Sequence, residues 1–369
     1  MKTLTRRNLE DILSGAAILG TGGGGELEEG RALIEDAFAQ GKEFSLVGLD
    51  EAPDDALFCT AYMLGAISPI SAEEEQQCNS LPRISEPSIM VAYRRFQEYL
   101  GREFYGTICC ELGGSNTAVA SYAAAASGHC ILDADPAGRA VPEITHSTYY
   151  LNGLPAAPIV MANEFGETII SENVVDDARA EHIVRALACV SRNDIAAIDH
   201  ALELRELRGA IIPGTISKAM HMGQVWREAV AARLDVAQSV AEAGKGFVAF
   251  CGVVAECNWR TEDGFTLGEI TIAGSGVYAE HSYKIQVKNE NMAAWIDGVL
   301  HATIPDLICL LDTETGAAVT NPNYYVGQNV AVVILPAPKA FLTDKGLQSF
   351  GPRYVHINEP YRPAHPIVF

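Results

Sequence analysis

Within fourteen positions the chain places Asp133, Asp135, Arg139, Glu143 and His146. Two aspartates, a glutamate and a histidine at this density could ligate a divalent metal or activate a water molecule, and the arginine could hold a substrate carboxylate. A plain structural reading competes with this one: Asp133 and Asp135 as turn caps, and Arg139 with Glu143 as an ion pair. Upstream, Glu111-Leu112-Gly113-Gly114-Ser115-Asn116 offers a carboxylate, two unhindered backbone amides and a side-chain amide in one turn. Lys288-Asn289-Glu290-Asn291 adds Asn289, Glu290 and Asn291, which could orient a substrate ring or simply form a hairpin turn.

Elements must bring these groups together. Residues 106–111 read as a buried strand, 117–127 as a helix of small residues, and 129–133 as a second strand. That order is a βαβ unit with parallel strands and a right-handed crossover. Glu111, Gly113 and Gly114 then stand at the C-terminal end of one strand, and Asp133 and Asp135 at the end of the next. Ligands of open parallel sheets bind along that edge, so the three carboxylates are expected to face one crevice.

A second candidate is Gly20-Thr21-Gly22-Gly23-Gly24-Gly25, five glycines in six positions, which allows something to approach the backbone closely. Gly22, Gly23 and Gly24 are therefore candidate substrate contacts. The spacing satisfies G-x-G-x-x-G, but the preceding residues 8–19 carry a helical repeat where a dinucleotide site needs a strand. Glu26, Glu28 and Glu29 follow at once and would repel a phosphate. A bound nucleotide is not expected.

The remaining motifs narrow the chemistry. There is no G-x-S-x-G for a serine nucleophile, and no C-x-x-C or H-E-x-x-H for a preassembled zinc site. A cysteine nucleophile, Cys109 or Cys110 beside Glu111, stays open. His221 and His281 read as packed or strand histidines. Nine cysteines in largely apolar runs read as reduced thiols. The net charge of −21, from 26 basic and 47 acidic residues, argues against nucleic acid or an anionic membrane as partner. No apolar run reaches the ~20 residues of a membrane span, and the residues after Arg7 lack a signal-peptide core, so a cytoplasmic protein is expected.

With 369 residues, 48% hydrophobic, the chain accommodates two domains. The first, 1–170, alternates helix and strand patterns, with strands at 44–47 and 56–61 and a helix at 88–100 bracketed by Pro87 and Gly101. The second, 171–369, opens with helical stretches at 177–204 and 217–243. It continues as strands at 247–259, 265–273, 277–287, 293–298 and 330–335, a barrel or sandwich. The boundary falls between 165 and 215.

Five stretches in one order resemble the S-methyl thiohydantoin desulfurase family. They are Gly15 to Gly25, Glu111 to Asn116, Asp133 to Glu143, Lys288 to Asn291, and Pro305-Asp306-Leu307-Ile308-Cys309. The resemblance implies a three-layer α/β domain joined to a β-barrel domain. It also implies a hydrolase of a cyclic ureide, in which water attacks the ring carbon bearing sulfur of an S-methyl thiohydantoin and leaves a hydantoin and a thiol. On that mapping Asp133, Asp135 or Glu143 activates water, with a divalent metal as a possible cofactor among these residues and His146. Arg139 holds a substrate carboxylate, and the Gly113 and Gly114 amides bind the ring oxygen. The competing readings are a non-catalytic subunit partnering an ATP-dependent hydantoinase or oxoprolinase-type complex, and a nucleotide-dependent oxidoreductase. A homo-oligomer is the default assembly.

Overall fold

A computed structural model describes residues 1–66 and 69–367 of the chain. The first sheet contains β1 (Lys2–Leu4), β2 (Phe44–Val47), β3 (Leu57–Gly65), β4 (Gly106–Cys109) and β5 (Cys130–Leu132). After the short β6 (Ala134–Asp135) it gains β7 (Ile159–Ala162), β8 (Thr168–Ser171) and β9 (Asp194–Glu203). Its strand order is β1-β2-β5-β4-β3-β9-β7-β8. The β2, β5, β4 and β3 neighbours are parallel, while β9, β7 and β8 run antiparallel on one flank. The expected βαβ unit is β4, the helix Asn116–Ala126 and β5, with Gly106 registered on Cys130.

Helices are set by their ends. The helix α1 (Arg6–Leu19) starts in a capping box between Thr5 and Asn8. It is followed by α2 (Leu27–Ala39), α3 (Ala72–Cys78) and α4 (Ser88–Leu100), the last ended by Gly101 in the left-handed conformation. Next come α5 (Asn116–Ala126), α6 (Thr148–Asn152), α7 (Asp177–Val190), α8 (Leu204–Leu207), α9 (Thr215–Ala232) and α10 (Val236–Ala243). The expected helix at 177–204 is thus only half helix. Ser191 closes α7, Arg192 and Asn193 take positive φ, and the chain turns into β9. The stretch 217–243 is two helices, broken at Arg233 (φ 55°) and restarted by the Asp235 cap.

The strand Ile212–Pro213, β10, pairs with β6. The second sheet is antiparallel throughout and curls into a half-barrel of order β15-β14-β13-β12-β11-β17-β16. These strands are β11 (Phe247–Glu262), β12 (Phe265–Gly274), β13 (Ser282–Lys288), β14 (Glu290–Ile296), β15 (Val299–Thr303), β16 (Leu307–Asp312) and β17 (Asn329–Leu335). The expected strand at 277–287 begins instead as a 3-10 turn, and β14 starts three residues earlier than the expected 293–298. A final helix, α11 (Asp344–Ser349), closes one end.

Side-chain alternation along β16 joins the two halves. Leu307, Cys309 and Leu311 enter the core beneath α1, α4 and α5, and Ile308 and Leu310 enter the half-barrel core. Alternation along β3 does the same for the first sheet: Cys59 and Ala61 face that helical core, whereas Tyr62 and Leu64 face the layer of α7. Among the described residues no helix is long and apolar enough to cross a membrane.

Candidate functional site

A cavity of about 730 Å³ lies on the Tyr62 side of the first sheet, where β3 and β9 meet the segment after β4 and the start of β14. Thr60, Tyr62, Cys110, Tyr149, Asp199 and His200 form one wall. Here β9 carries a bulge: Phe58 pairs with Leu202 but Thr60 pairs with Asp199, and His200 takes a φ of 42°. A carboxylate can only accept, so His200 donates Nδ1–H to Asp199 Oδ1 over 2.7 Å. The Tyr62 hydroxyl donates to Asp199 Oδ2, also over 2.7 Å. The Tyr149 ring stacks on the imidazole with centroids 4.0 Å apart, and its hydroxyl is hydrogen-bonded to Thr60 Oγ1. The bond held at Nδ1 leaves His200 Nε2 as an acceptor, buried and, among the described residues, without a partner. An imidazole fixed this way can take a proton from water or a ligand.

A second group comes from farther along the chain. Glu111 accepts from Asn116 Nδ2 and from the Val141 amide, each over 2.7 Å, and burial pushes its carboxyl up to about 7. Glu290, the first residue of β14, also lines the cavity. Its Oε2 is buried with no hydrogen-bond partner among the described residues. Lys288 Nζ, which sits over the Phe265 and Tyr354 rings, donates to Glu143 Oε1 over 3.0 Å. Against the upward push of burial, His146, Lys288 and the Tyr354 hydroxyl hold Glu143 below its ordinary range. Glu143 lines the cavity as a carboxylate committed to that ion pair.

Several residues singled out in the sequence lie elsewhere. Asp133 and Asp135 do not reach the cavity. Asp133 accepts from the Ser217 amide and hydroxyl in the first turn of α9, and Asp135 accepts from the Ala137 and Gly138 amides. Asp135 braces its own turn, and Asp133 holds the start of α9. Arg139 is not a substrate clamp and does not pair with Glu143. It is fully buried and donates to the carbonyls of Ala140, Pro305 and Asp306 and to Thr21 Oγ1, fastening the glycine loop to the second sheet. The Gly113 amide donates to Thr117 Oγ1, Gly113 packs against Gly24 and Gly114 against Leu27, and the cavity lining includes neither glycine.

In the glycine loop Gly24 lines the cavity, whereas Gly22 packs on Asn321 and Gly23 on Glu290. Asn289 borders the cavity, but its Oδ1 accepts from the Thr266 amide. Asn291 spends its amide on the Ile308 carbonyl. Glu111 and Asn116 both line the cavity. His146 is packed between Phe350 and Tyr354, and burial pushes its imidazole down to about 4. Among the described residues no group of three or more His, Cys, Asp or Glu side chains is placed to hold a metal ion, Asp133, Asp135, Glu143 and His146 included.

Cys109 is buried with its thiol against the Thr117 carbonyl, outside the cavity. Cys110 lines the cavity, but burial and the nearby Glu111 push its thiol well up, so it carries its proton. Asp199 and His200 are not singled out by the sequence, and Glu290 enters there only as a group that could orient a substrate ring. The run Ile195-Ala196-Ala197-Ile198 gives a helical impression that hides the first two, and Glu290 sits inside an Asn-rich turn signal.

The comparisons with known proteins follow the same two-part division. The model of the S-Me-THD-like N-terminal domain matches residues 7–173, and that of the S-Me-THD-like C-terminal domain matches residues 175–364. Among solved structures, the crystal structure of a protein from Chromobacterium violaceum, a structural-genomics target, shares 24% identity and superposes with a TM-score of 0.78. The match covers 98% of this chain and 100% of that one, a likeness of fold. No curated protein matches the chain.

Proposed function

This chain belongs to the S-Me-THD-like family, and from that premise we propose that it is a hydrolase of a cyclic ureide, converting an S-methyl thiohydantoin into a hydantoin and a thiol. The observation that carries the reading is His200, oriented by Asp199 and left with a free Nε2 in a cavity large enough for a five-membered ring.

The chemistry fits those groups in order. His200 Nε2 takes a proton from water as its oxygen bonds to the ring carbon bearing sulfur. The electron pair of the C=N bond moves to the ring nitrogen, which then receives that proton from the imidazolium. Asp199 stabilises the imidazolium while it exists, and the Tyr62 hydroxyl keeps Asp199 in place. In the bond between Tyr149 and Thr60, whichever hydroxyl accepts keeps its own proton to offer the ring oxygen. The carbon–sulfur bond then breaks, the carbonyl forms, and sulfur leaves as the thiol.

No metal enters this scheme. Cys110, held as a thiol, serves as part of the wall. The test is incubation of the purified chain alone with an S-methyl thiohydantoin, following thiol with a chromogenic thiol reagent and hydantoin by mass spectrometry. Equimolar appearance of both supports the reading, and intact substrate after prolonged incubation rejects it. A chain that served only as a subunit of a hydantoinase-type complex would give the second result.

A further inference from the structure

The glycine loop and β14 meet at a single carboxyl group. A Cβ on Gly23 would stand 1.9 Å from Glu290 Oε1, so only glycine lets the loop close over this side chain. The loop is pinned there from three sides. Asn291 N–H donates to the Thr21 carbonyl, Asn321 N–H to the Gly22 carbonyl, and Arg139 to Thr21 Oγ1. Glu290 itself is 2% exposed, and its Oε2 makes no hydrogen bond to any described residue.

The neighbouring charges are unequal in what they offer. Glu111 adds a negative charge, and both of its own oxygens are taken by Asn116 and Val141. Arg139 and Arg185 are the cations whose charge reaches Glu290. Arg139 spends its donors on carbonyls and Thr21, and Arg185 spends its own on Glu181 and the carbonyls of Pro142 and Gly264. Among the described residues no cation is bonded to Glu290. A carboxyl group with that burial, that like-charged neighbour and an orphan oxygen is far better accommodated as the acid. Burial and Glu111 together push it well above the usual carboxylate range, against Arg139 and Arg185.

Building on the thiohydantoin reading, we propose that Glu290 is the general acid of the cavity and protonates the departing sulfur. As the carbon–sulfur bond breaks, sulfur takes the bonding pair and the Glu290 proton. The tetrahedral hydroxyl then gives its proton back to the carboxylate as the carbonyl forms, so the acid is regenerated and water supplies both hydrogens of the products. His200 and Glu290 divide base and acid work, the imidazole oriented by Asp199 and the carboxyl buried under the glycine loop. The dense glycine loop is then the packing surface that sets the acid in place.

The test compares Glu290→Gln, which keeps size and packing, with His200→Gln on two substrates: an S-methyl thiohydantoin and its S-(4-nitrophenyl) analogue, whose thiolate leaves without a proton. Glu290→Gln is expected to lose about 10²- to 10⁴-fold on the methyl compound and to stay within about threefold of wild type on the aryl compound, while His200→Gln loses activity on both. Equal loss of Glu290→Gln on both substrates overturns the assignment. A second measurement needs no turnover: the infrared difference between wild type and Glu290→Gln at pH 7. The C=O stretch of a protonated carboxylic acid is expected, and its absence overturns the proposal. If neither substrate is cleaved by wild type, the thiohydantoin reading falls while the infrared result still decides whether Glu290 holds a proton to give.

Discussion

Asp199 and His200 are consecutive residues of one strand, yet their side chains are hydrogen-bonded to each other, Oδ1 to Nδ1, over 2.7 Å. Neighbours in a regular strand point to opposite faces. The bulge in β9 and the φ of 42° at His200 remove that opposition and place both groups in the cavity wall. A strained backbone at such a point is the kind of local cost that functional sites carry. The dyad is therefore built by the strand irregularity, with Tyr62 and Tyr149 from β3 and α6 fixing its two ends.

On this account water, and not Cys110, attacks the ring, because burial and Glu111 push the Cys110 thiol well up and leave it little thiolate. Cys110→Ser is expected to keep thiol release within about threefold of wild type, since general-base activation of water does not pass through this group. Steady-state rates with S-methyl thiohydantoin check this. A loss of a thousandfold would instead place a covalent bond to Cys110 in the reaction.

Gly23→Ala is expected to act on the reaction as well as on stability. The new methyl group meets Glu290 Oε1 at 1.9 Å, so either the loop or the carboxyl must move. Overpacking of this sort costs about 1–3 kcal/mol, read as a lower thermal midpoint. Thiol release is expected to fall at least about tenfold at a temperature where the variant remains folded. Unchanged turnover would detach the glycine loop from the chemistry.

The buried Glu111 gives a pH signature. Its carboxyl is raised to about 7 in the fold, from about 4.5 in the unfolded chain, so between those values the folded state binds more protons than the unfolded one. Stability from this group is accordingly greatest below pH 4.5 and falls as pH rises toward 7. Glu111→Gln removes that proton uptake. Chemical denaturation between pH 5 and 7.5 is expected to show a shallower decline for the variant than for wild type, and identical slopes would contradict the burial argument.

Much of this architecture was legible in the chain. Pro87 and Gly101 bracket α4 because each satisfies a helix end in its own way, and the β4–α5–β5 unit follows from a buried strand, a run of small residues and a second strand. The ordered motifs also pointed to the family that the matched domains show. The candidate site was legible only in part. Asp133 and Asp135 have the residue types of a catalytic pair, but Asp135 is claimed by the amides of its own turn and Asp133 by Ser217, 84 residues on, and sequence spacing does not distinguish such a brace from a base. His200 was hidden because alanine-rich residues before it resemble a helix, while tertiary pairing with β3 makes them a strand. Glu290 meets Glu111 and Gly23 only after the second sheet docks on the first, a juxtaposition between distant segments that no local pattern encodes.

The most direct test of the central claim is the rate of thiol release from an S-methyl thiohydantoin by wild type and by His200→Gln, measured at the same pH and enzyme concentration with folding checked by circular dichroism. Wild-type turnover with a loss of at least about a hundredfold in the variant is the expected result for a general base. Equal rates in the two proteins, or no thiol from wild type, would contradict the account.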